Sequence, residues 1–362
     1  MIAVFVTTVG NAAAGVQSML TAGTCLIFPA QKAGGQIDLY VNSVVREVLT
    51  NDEGKATGVT YISKDDRKEY SLKGKVVVLA ASACSSARIL LNSKSKQHPN
   101  GLGNSSGMVG KYLHDSTGAS RAAFIPALMN RDIYNEDGVG GMHIYTPWWL
   151  DNRKLDFPRG YHLEMWGGMG MPSYGFGFNV NDLNKHIGEK VGGYGERLRA
   201  DVKKFYGSVV GISGRGECIA REDNYCELDP EVVDEFGIPV LRFNYTWTEH
   251  ERLQAKHMHN TFEEILDAMG GKILGEKPGK EDDYGLAAPG RIIHEVGTTR
   301  MGNDPNKSVT NAYEQLHDAN NVFVVDGGPF VSQADKNPTW TILALAWRTS
   351  DYIIEQLRKR NI

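Results

Sequence analysis

The 362-residue sequence predicts an α/β body joined to an α+β body. Three observations carry that prediction. Short, continuously apolar, β-branched runs end the segments 73–80 (Lys-Gly-Lys-Val-Val-Val-Leu-Ala) and 322–325 (Val-Phe-Val-Val), the pattern of strands covered on both faces. Between them lie alternating runs, His162-Leu-Glu-Met-Trp166 and Val240-Leu-Arg-Phe-Asn-Tyr245, the pattern of antiparallel strands with one wet face. Amphipathic helical patterns occupy 248–269 and 339–359.

The length suits one large domain or two of ordinary size, and 41% hydrophobic with 23% charged residues is ordinary globular composition. A net charge of −4 offers no basic face, so no nucleic-acid partner is expected. The 41 glycines point to a loop-rich chain rather than a helical bundle. Four cysteines (Cys25, Cys84, Cys218, Cys226) form no Cys-x-x-Cys pair and read as plain thiols, with a Cys218–Cys226 bridge the pairing an oxidising compartment would allow. No stretch is apolar enough to predict a membrane span. The N-terminal Met-Ile-Ala-Val-Phe-Val-Thr-Thr-Val-Gly lacks a positive n-region and is interrupted by Thr and Gly, so it is not read as a secretory signal. The compartment stays open, cytoplasmic or, with an exported partner, periplasmic.

In chain order, 37–49 reads as a strand pair with a short turn, Asn51-Asp-Glu-Gly54 as a turn, and 58–63 as an alternating strand. The run 73–80 is a central strand, and the small residues of 79–91 form a turn from strand into helix. Residues 98–110 are a Gly-, Asn- and Ser-dense loop. His114 and Asp115 are expected to follow a short helix in structural roles. Aromatics crowd 145–178, where sheet and helices would meet. One helix is expected from about 182 to 205. His257 and His259 on the 248–269 helix are two residues apart, so they face different sides and predict no metal. Residues 277–289 form a polar linker. After the strand at 322–325 comes Asp326-Gly327-Gly328, two glycines that would let backbone approach a ligand closely. Asn337 stands where an N-cap stands and Pro338 at the first helical position. Ile342, Leu345, Ala346, Ile353 and Leu357 are available for the buried face of the last helix, whose N-terminus suits an electron-rich group.

The motifs His294-Glu-Val-Gly-Thr-Thr-Arg-Met-Gly302, Val324-Val-Asp-Gly327 and Asn337-Pro-Thr-Trp-Thr341, in this order and spacing, resemble the C-terminal part of the glucose-methanol-choline oxidoreductases, a family of FAD enzymes. The resemblance runs from about Gln17 to the end. It implies FAD as cofactor, with His294 and Asn337 as the catalytic pair. An Asn at the second position is similar to the choline-type and pyranose-type members. It further implies cofactor contacts at Val45 (through its backbone), Asn104, Asp326, Gly327, Asn337 and Thr339. Alcohol oxidation removes a proton from oxygen and a hydride from carbon. His294 would take the proton, since imidazole titrates near neutrality, and Asn337 would orient the same oxygen.

The implied fold is a three-layer FAD-binding domain without its first βαβ unit, carrying an antiparallel-sheet substrate domain. The division is 1–120 for part of the FAD domain, 121–290 for the substrate domain and 291–362 for the return. The departure from the family is the Gly-x-Gly-x-x-Gly turn that holds a pyrophosphate. Gly168-Met-Gly170 and Gly214-Arg-Gly216 are not preceded by a buried strand. The expected function is FAD-dependent oxidation of an alcohol or sugar, with an electron acceptor or cytochrome subunit as a further partner. The alternatives are a truncated or non-catalytic chain that needs a partner, and an FAD lyase or isomerase on the same scaffold.

Overall fold

The computed structural model describes residues 23–131, 142–144, 152–167, 180–187, 191, 194–205 and 207–362. A wide helical turn, Gly23–Ile27, leads into α1 (Phe28–Lys32). Then come β1 (Ser43–Thr50), β2 (Ala56–Ser63), β3 (Glu69–Lys73), β4 (Val77–Leu79) and α2 (Ala83–Asn92). The middle of the chain forms β5 (Thr117–Phe124), β6 (Met142–Ile144), β7 (Tyr161–Gly167), α3 (Val180–Ile187), α4 (Gly195–Phe205) and β8 (Val209–Gly216). It ends with β9 (Tyr225–Val233), β10 (Pro239–Asn244), α5 (Glu249–Ala268), β11 (Lys272–Ile273), β12 (Val322–Val324) and α6 (Thr339–Lys359).

The two apolar runs pair with each other. β4 and β12 lie parallel, Val77 against Val322 and Leu79 against Val324. Period-two alternation sends their side chains to opposite faces. Val77, Leu79, Val322 and Val324 pack with Ala87 and Leu90 of α2 and with Val48 and Val59 of the β1–β2–β3 meander. Val78, Phe323 and Val325 face the other way, onto Ile353, Ala346, Tyr352 and Leu357 of α6. Three layers result, with β4–β12 in the middle, which is why both strands are continuously apolar. Only part of 37–49 is strand. β1 starts after Asn42, whose left-handed φ of 55° breaks the extended run, so 37–42 stay outside the sheet. The turn at 51–54 forms as expected: Asn51 Oδ1 accepts from the N–H groups of Glu53 and Lys55, and Gly54 sits at φ 78°.

The second body is a five-stranded antiparallel sheet ordered β11-β5-β8-β7-β6. α5 covers one face, packing Ala255, Met258, Phe262 and Leu266 against Ala119, Ala123, Leu163 and Ile212. The helix starts in a capping box between Thr248 and Glu251. It lies very close to the sheet. A Cβ at Gly214 would come within 2.6 Å of Met258 Sδ, and one at Gly216 within 2.0 Å of Gln254 Oε1. These glycines therefore serve packing. Gly168 and Gly170 lie outside the described residues.

Two expectations are corrected here. The run 240–245 is not a strand of the large sheet. Among the described residues β10 pairs with β9 alone, and Cys226, Leu228 and Leu241 pack on the first core. Arg88 of α2 fixes this hairpin, donating from Nε to Pro239 O at 2.6 Å and pairing with Asp234 at 2.8 Å. The region 182–205 holds two helices rather than one, the second opening at Gly195 with φ 64°. Of the aromatic cluster, Phe157 and Tyr161 are buried against α5. Tyr145, Trp148, Trp149, Tyr174, Phe176 and Phe178 lie outside the described residues. Cys218 and Cys226 are free thiols, Cys218 Sγ lying 3.6 Å from the Tyr245 hydroxyl. Among the described residues no helix is long and apolar enough to cross a membrane.

Candidate active site

The site is built on three backbone segments hydrogen-bonded side by side. Residues 296–301 run down the middle. On one flank Gly297 N donates to Gly327 O (3.0 Å), Thr299 N to Gly328 O (2.9 Å) and Met301 N to Pro329 O (2.8 Å). On the other, His114 and Val296 exchange bonds of 3.0 and 2.9 Å, and Gly110 N donates to Thr298 O at 2.7 Å. At two positions the neighbouring segment leaves no room for a side chain. A Cβ on Gly297 (φ 98°) would sit 2.3 Å from Tyr112 O, and one on Gly328 2.3 Å from Thr299 Oγ1. The glycines after β12 thus answer to the neighbouring chain segment. Arg300 is structural as well, its guanidinium lying 4.0 Å from the Tyr112 ring centre.

His294 stands at the head of the middle segment, before it enters this ladder. Its Nε2 lies 3.2 Å from Asn337 Nδ2 and its Nδ1 3.2 Å from Ser116 Oγ. With the Asn337 amide donating to Nε2, the ring proton sits on Nδ1 and is given to Ser116. Gln333 Nε2 donates to the same Ser116 oxygen at 3.0 Å. Burial, then the Arg215 charge, holds the His294 pKa below the ordinary imidazole value of 6.5, so the ring is neutral near neutral pH. Asp115 fixes its backbone: Oδ1 accepts from His294 N at 2.9 Å and from Ser116 N at 2.7 Å. Burial raises the Asp115 carboxyl to about 6. His114 and Asp115 follow a turn and a bridge rather than the expected helix. His114 Nδ1 donates to Tyr112 O at 2.7 Å, and burial drops its pKa to about 4.

The α6 boundary shifts by one residue. Pro338 occupies the cap position and Asn337 makes no cap, because its amide turns to His294. The first helical bond runs from Ile342 N to Pro338 O at 3.0 Å, so the N–H groups of Thr339, Trp340 and Thr341 precede it. Asn337, Thr339 and Trp340 are all exposed. An uncapped helix end beside a neutral histidine suits the electron-rich edge of a reduced flavin, so the donor set here fits FAD.

The remaining candidates lie elsewhere in the fold. Val45 is half-buried on β1, next to a bulge at Arg46. Asp326 is buried with both oxygens in use: Ser86 Oγ donates to one at 2.5 Å and Gly328 N to the other at 2.8 Å. Asn104 closes its own loop, giving Nδ2 to Asn100 O and accepting Val109 N on Oδ1. Both side chains are engaged within the fold, Asp326 by Ser86 and Gly328 N and Asn104 by the backbone of its own loop. Gly327 belongs to the ladder described above. Asp115 was expected only in a structural role, and Ser116 and Gln333 escaped the sequence reading; no local pattern sets them apart. Among the described residues no cluster could hold a metal ion.

Comparison with known proteins identifies the family. Models described as GMC oxidoreductase match residues 19–117 and 220–346. The chain is 33% identical over 317 residues to 2-methyl-1,2-propanediol dehydrogenase of Mycolicibacterium austroafricanum, covering 87% of this chain and 54% of the relative. It is 25% identical to the fructose dehydrogenase large subunit of Gluconobacter japonicus, covering 93% and 57%. A structure of a formate oxidase variant from Aspergillus oryzae RIB40 shares the fold, with TM-score 0.58 at 12% identity over 88% of this chain and 60% of that one. The chain belongs to the GMC oxidoreductase family, whose cofactor is FAD. It spans about half the length of the curated relatives it matches.

Proposed function

We propose that this chain carries the catalytic centre of a flavin enzyme that oxidises the CH–OH group of an alcohol or sugar. The observation that supports this is the pairing of a neutral His294 with Asn337 at the open end of α6. FAD, when bound, supplies the hydride acceptor. The chain's own residues handle the oxygen and its proton. A substrate hydroxyl entering between the pair would donate to His294 Nε2 and accept from Asn337 Nδ2. Ser116 keeps the other ring proton on Nδ1, leaving the Nε2 lone pair toward the substrate. Val45, Asp326 and Gly327 would meet FAD through backbone, Thr339 through its N–H, and Asn104 by shaping its loop. Residues 1–120 and 291–362 would form the cofactor side, with 121–290 as substrate domain.

Relatives named for a propanediol, fructose and gluconate support a small polyhydroxylated substrate. One is named as the large subunit of its enzyme, which supports an electron-accepting partner such as a cytochrome subunit. A second reading also has support. The outer face of α6 exposes Trp340 (82%), Trp347 (75%) and Leu343 (53%), and the chain covers about half of its relatives. On that reading FAD is gripped only with a further segment or partner chain, which would supply the first βαβ unit.

The test is the absorption spectrum of the desalted protein with and without added FAD. Anaerobic bleaching of bound flavin by an alcohol or sugar is expected. His294→Ala should lower the bleaching rate by about 10²- to 10⁴-fold. Because the neutral ring is the base and its pKa is depressed, kcat/KM should rise with pH through an acid limb lying below 6.5. Bleaching at the wild-type rate in His294→Ala would remove the histidine from this role. Substrate turnover with no flavin reduction would favour a lyase or isomerase.

A further inference from the structure

The loop 331–337 delivers Asn337 to His294, and it is held by side chains. One anchor is Gln333, bonded to Ser116 at the start of the sheet. The other is Asp335, two residues before Asn337. Asp335 Oδ2 lies 3.5 Å from His162 Nδ1, and Glu164 Oε1 lies 3.5 Å from His162 Nε2. His162 and Glu164 share the face of β7 opposite Tyr161 and Leu163, which pack under α5. Arg215 sits directly across from His162 on β8, and its Nη2 is 3.4 Å from Glu164. Signs therefore alternate from the sheet into the loop: Arg215, Glu164, His162, Asp335, then Lys336, which pairs with Asp335. The side chain of His162 is 0% exposed, in a setting where imidazole usually stays neutral.

We infer that His162 is a positioning residue: through Asp335 it fastens the Asn337-bearing loop to the substrate sheet and so holds the amide at His294. The inference rests on the oxidation proposed above. A neutral imidazole has one N–H and can serve only one of the two carboxylates; the imidazolium serves both. Burial presses the His162 pKa down, but Asp335 and Glu164 outweigh it and the net shift is upward. Lys336 opposes that shift; His294 lies in electrostatic reach of His162, and Glu217 in reach of Asp335. The Lys336–Asp335 pair lies within the loop and is not itself a tie to the sheet.

The test compares His162→Gln and Asp335→Asn with wild type in the full chain loaded with FAD. Hydrogen exchange is followed over 331–338, alongside kcat, KM and their pH profiles. Each variant should speed exchange in that segment by roughly tenfold and lower kcat by about 10- to 100-fold, with KM changed less than about threefold. The double variant should be no worse than either single one, since both break the same tie. In wild type kcat should fall at a basic limb above 6.5 as His162 loses its proton, and His162→Gln should erase that limb. Wild-type exchange over 331–338 in both variants overturns the inference, as does an additive double variant. If His162→Gln does not fold, Asp335→Asn decides alone. A wild type that reduces no flavin with any alcohol sinks the proposed function, while the exchange comparison still decides the tether.

Discussion

The two halves of the candidate site are held by different forces. His294 is carried by segment 294–302, bonded backbone to backbone on both flanks, with glycines where neighbouring chain passes within 3 Å of a would-be Cβ. Asn337 is carried by loop 331–337, held by Gln333–Ser116 and Asp335–His162, side chains from distant strands. The first half is held by backbone bonds and close packing, with the Asp115 carboxyl on His294 N as its titrating contact. The second depends on a few polar contacts, one of which includes an ionisable ring. The position of His294 should therefore depend on pH less than that of Asn337.

The largest effect is expected where the ladder itself is broken. Gly297→Ala puts a methyl group 2.3 Å from Tyr112 O at φ 98°. It should cost at least about 2 kcal/mol in a urea midpoint measurement. Gly107 has a similar positive φ of 71° but nothing within 4 Å, so Gly107→Ala should cost only about 1 kcal/mol. Equal losses would mean that backbone strain, not crowding, sets the cost. Next comes Asn337→Ala, which should lower kcat by about 10- to 100-fold while moving stability by less than about 0.5 kcal/mol, since the residue is exposed. A comparable loss of stability would show the loop to be as tightly built as the ladder.

The smallest effect concerns Asp115. Its carboxyl titrates at about 6 when folded, against 3.8 without the fold, so the folded chain binds the extra proton between those values. Stability should be greatest below the lower value and decline as pH rises through the upper one. Asp115→Asn should flatten that slope while changing stability near pH 5 by less than about 1 kcal/mol, because Asn keeps an oxygen for His294 N and Ser116 N. An unchanged slope would place the responsible group elsewhere.

Much of the first half could be read from sequence, since backbone geometry writes itself as local pattern. The apolar strands 77–79 and 322–324, the α6 span and the glycine positions all carry such marks. Their reasons were not legible: Gly214, Gly216, Gly327 and Gly328 record close packing between segments far apart in the chain. The second half left little trace. Gln333 and Asp335 look like any polar loop residues, and only the fold brings Ser116 and His162 to them. A weak signal did exist in the alternation of 162–166, which set His162 and Glu164 on one face. Asn337 shows the limit of capping rules. An N-cap residue chosen by position was diverted by His294, which the motif resemblance paired with it and the capping rule could not.

The ladder of 110–114, 296–301 and 327–329 also bears on what kinship can certify. Its Gly-Thr-x-Arg-Met-Gly and Asp-Gly-Gly signatures are dictated by how closely three strands of chain must pass, with Arg300 resting on Tyr112 and Thr298 bonded to Ala83 O. None of those constraints involves a reacting atom. On the proposed function, a chain could exchange His294 or Asn337, lose its chemistry, and still keep every residue the ladder requires. Membership and competence are thus recorded in different letters of the same motif.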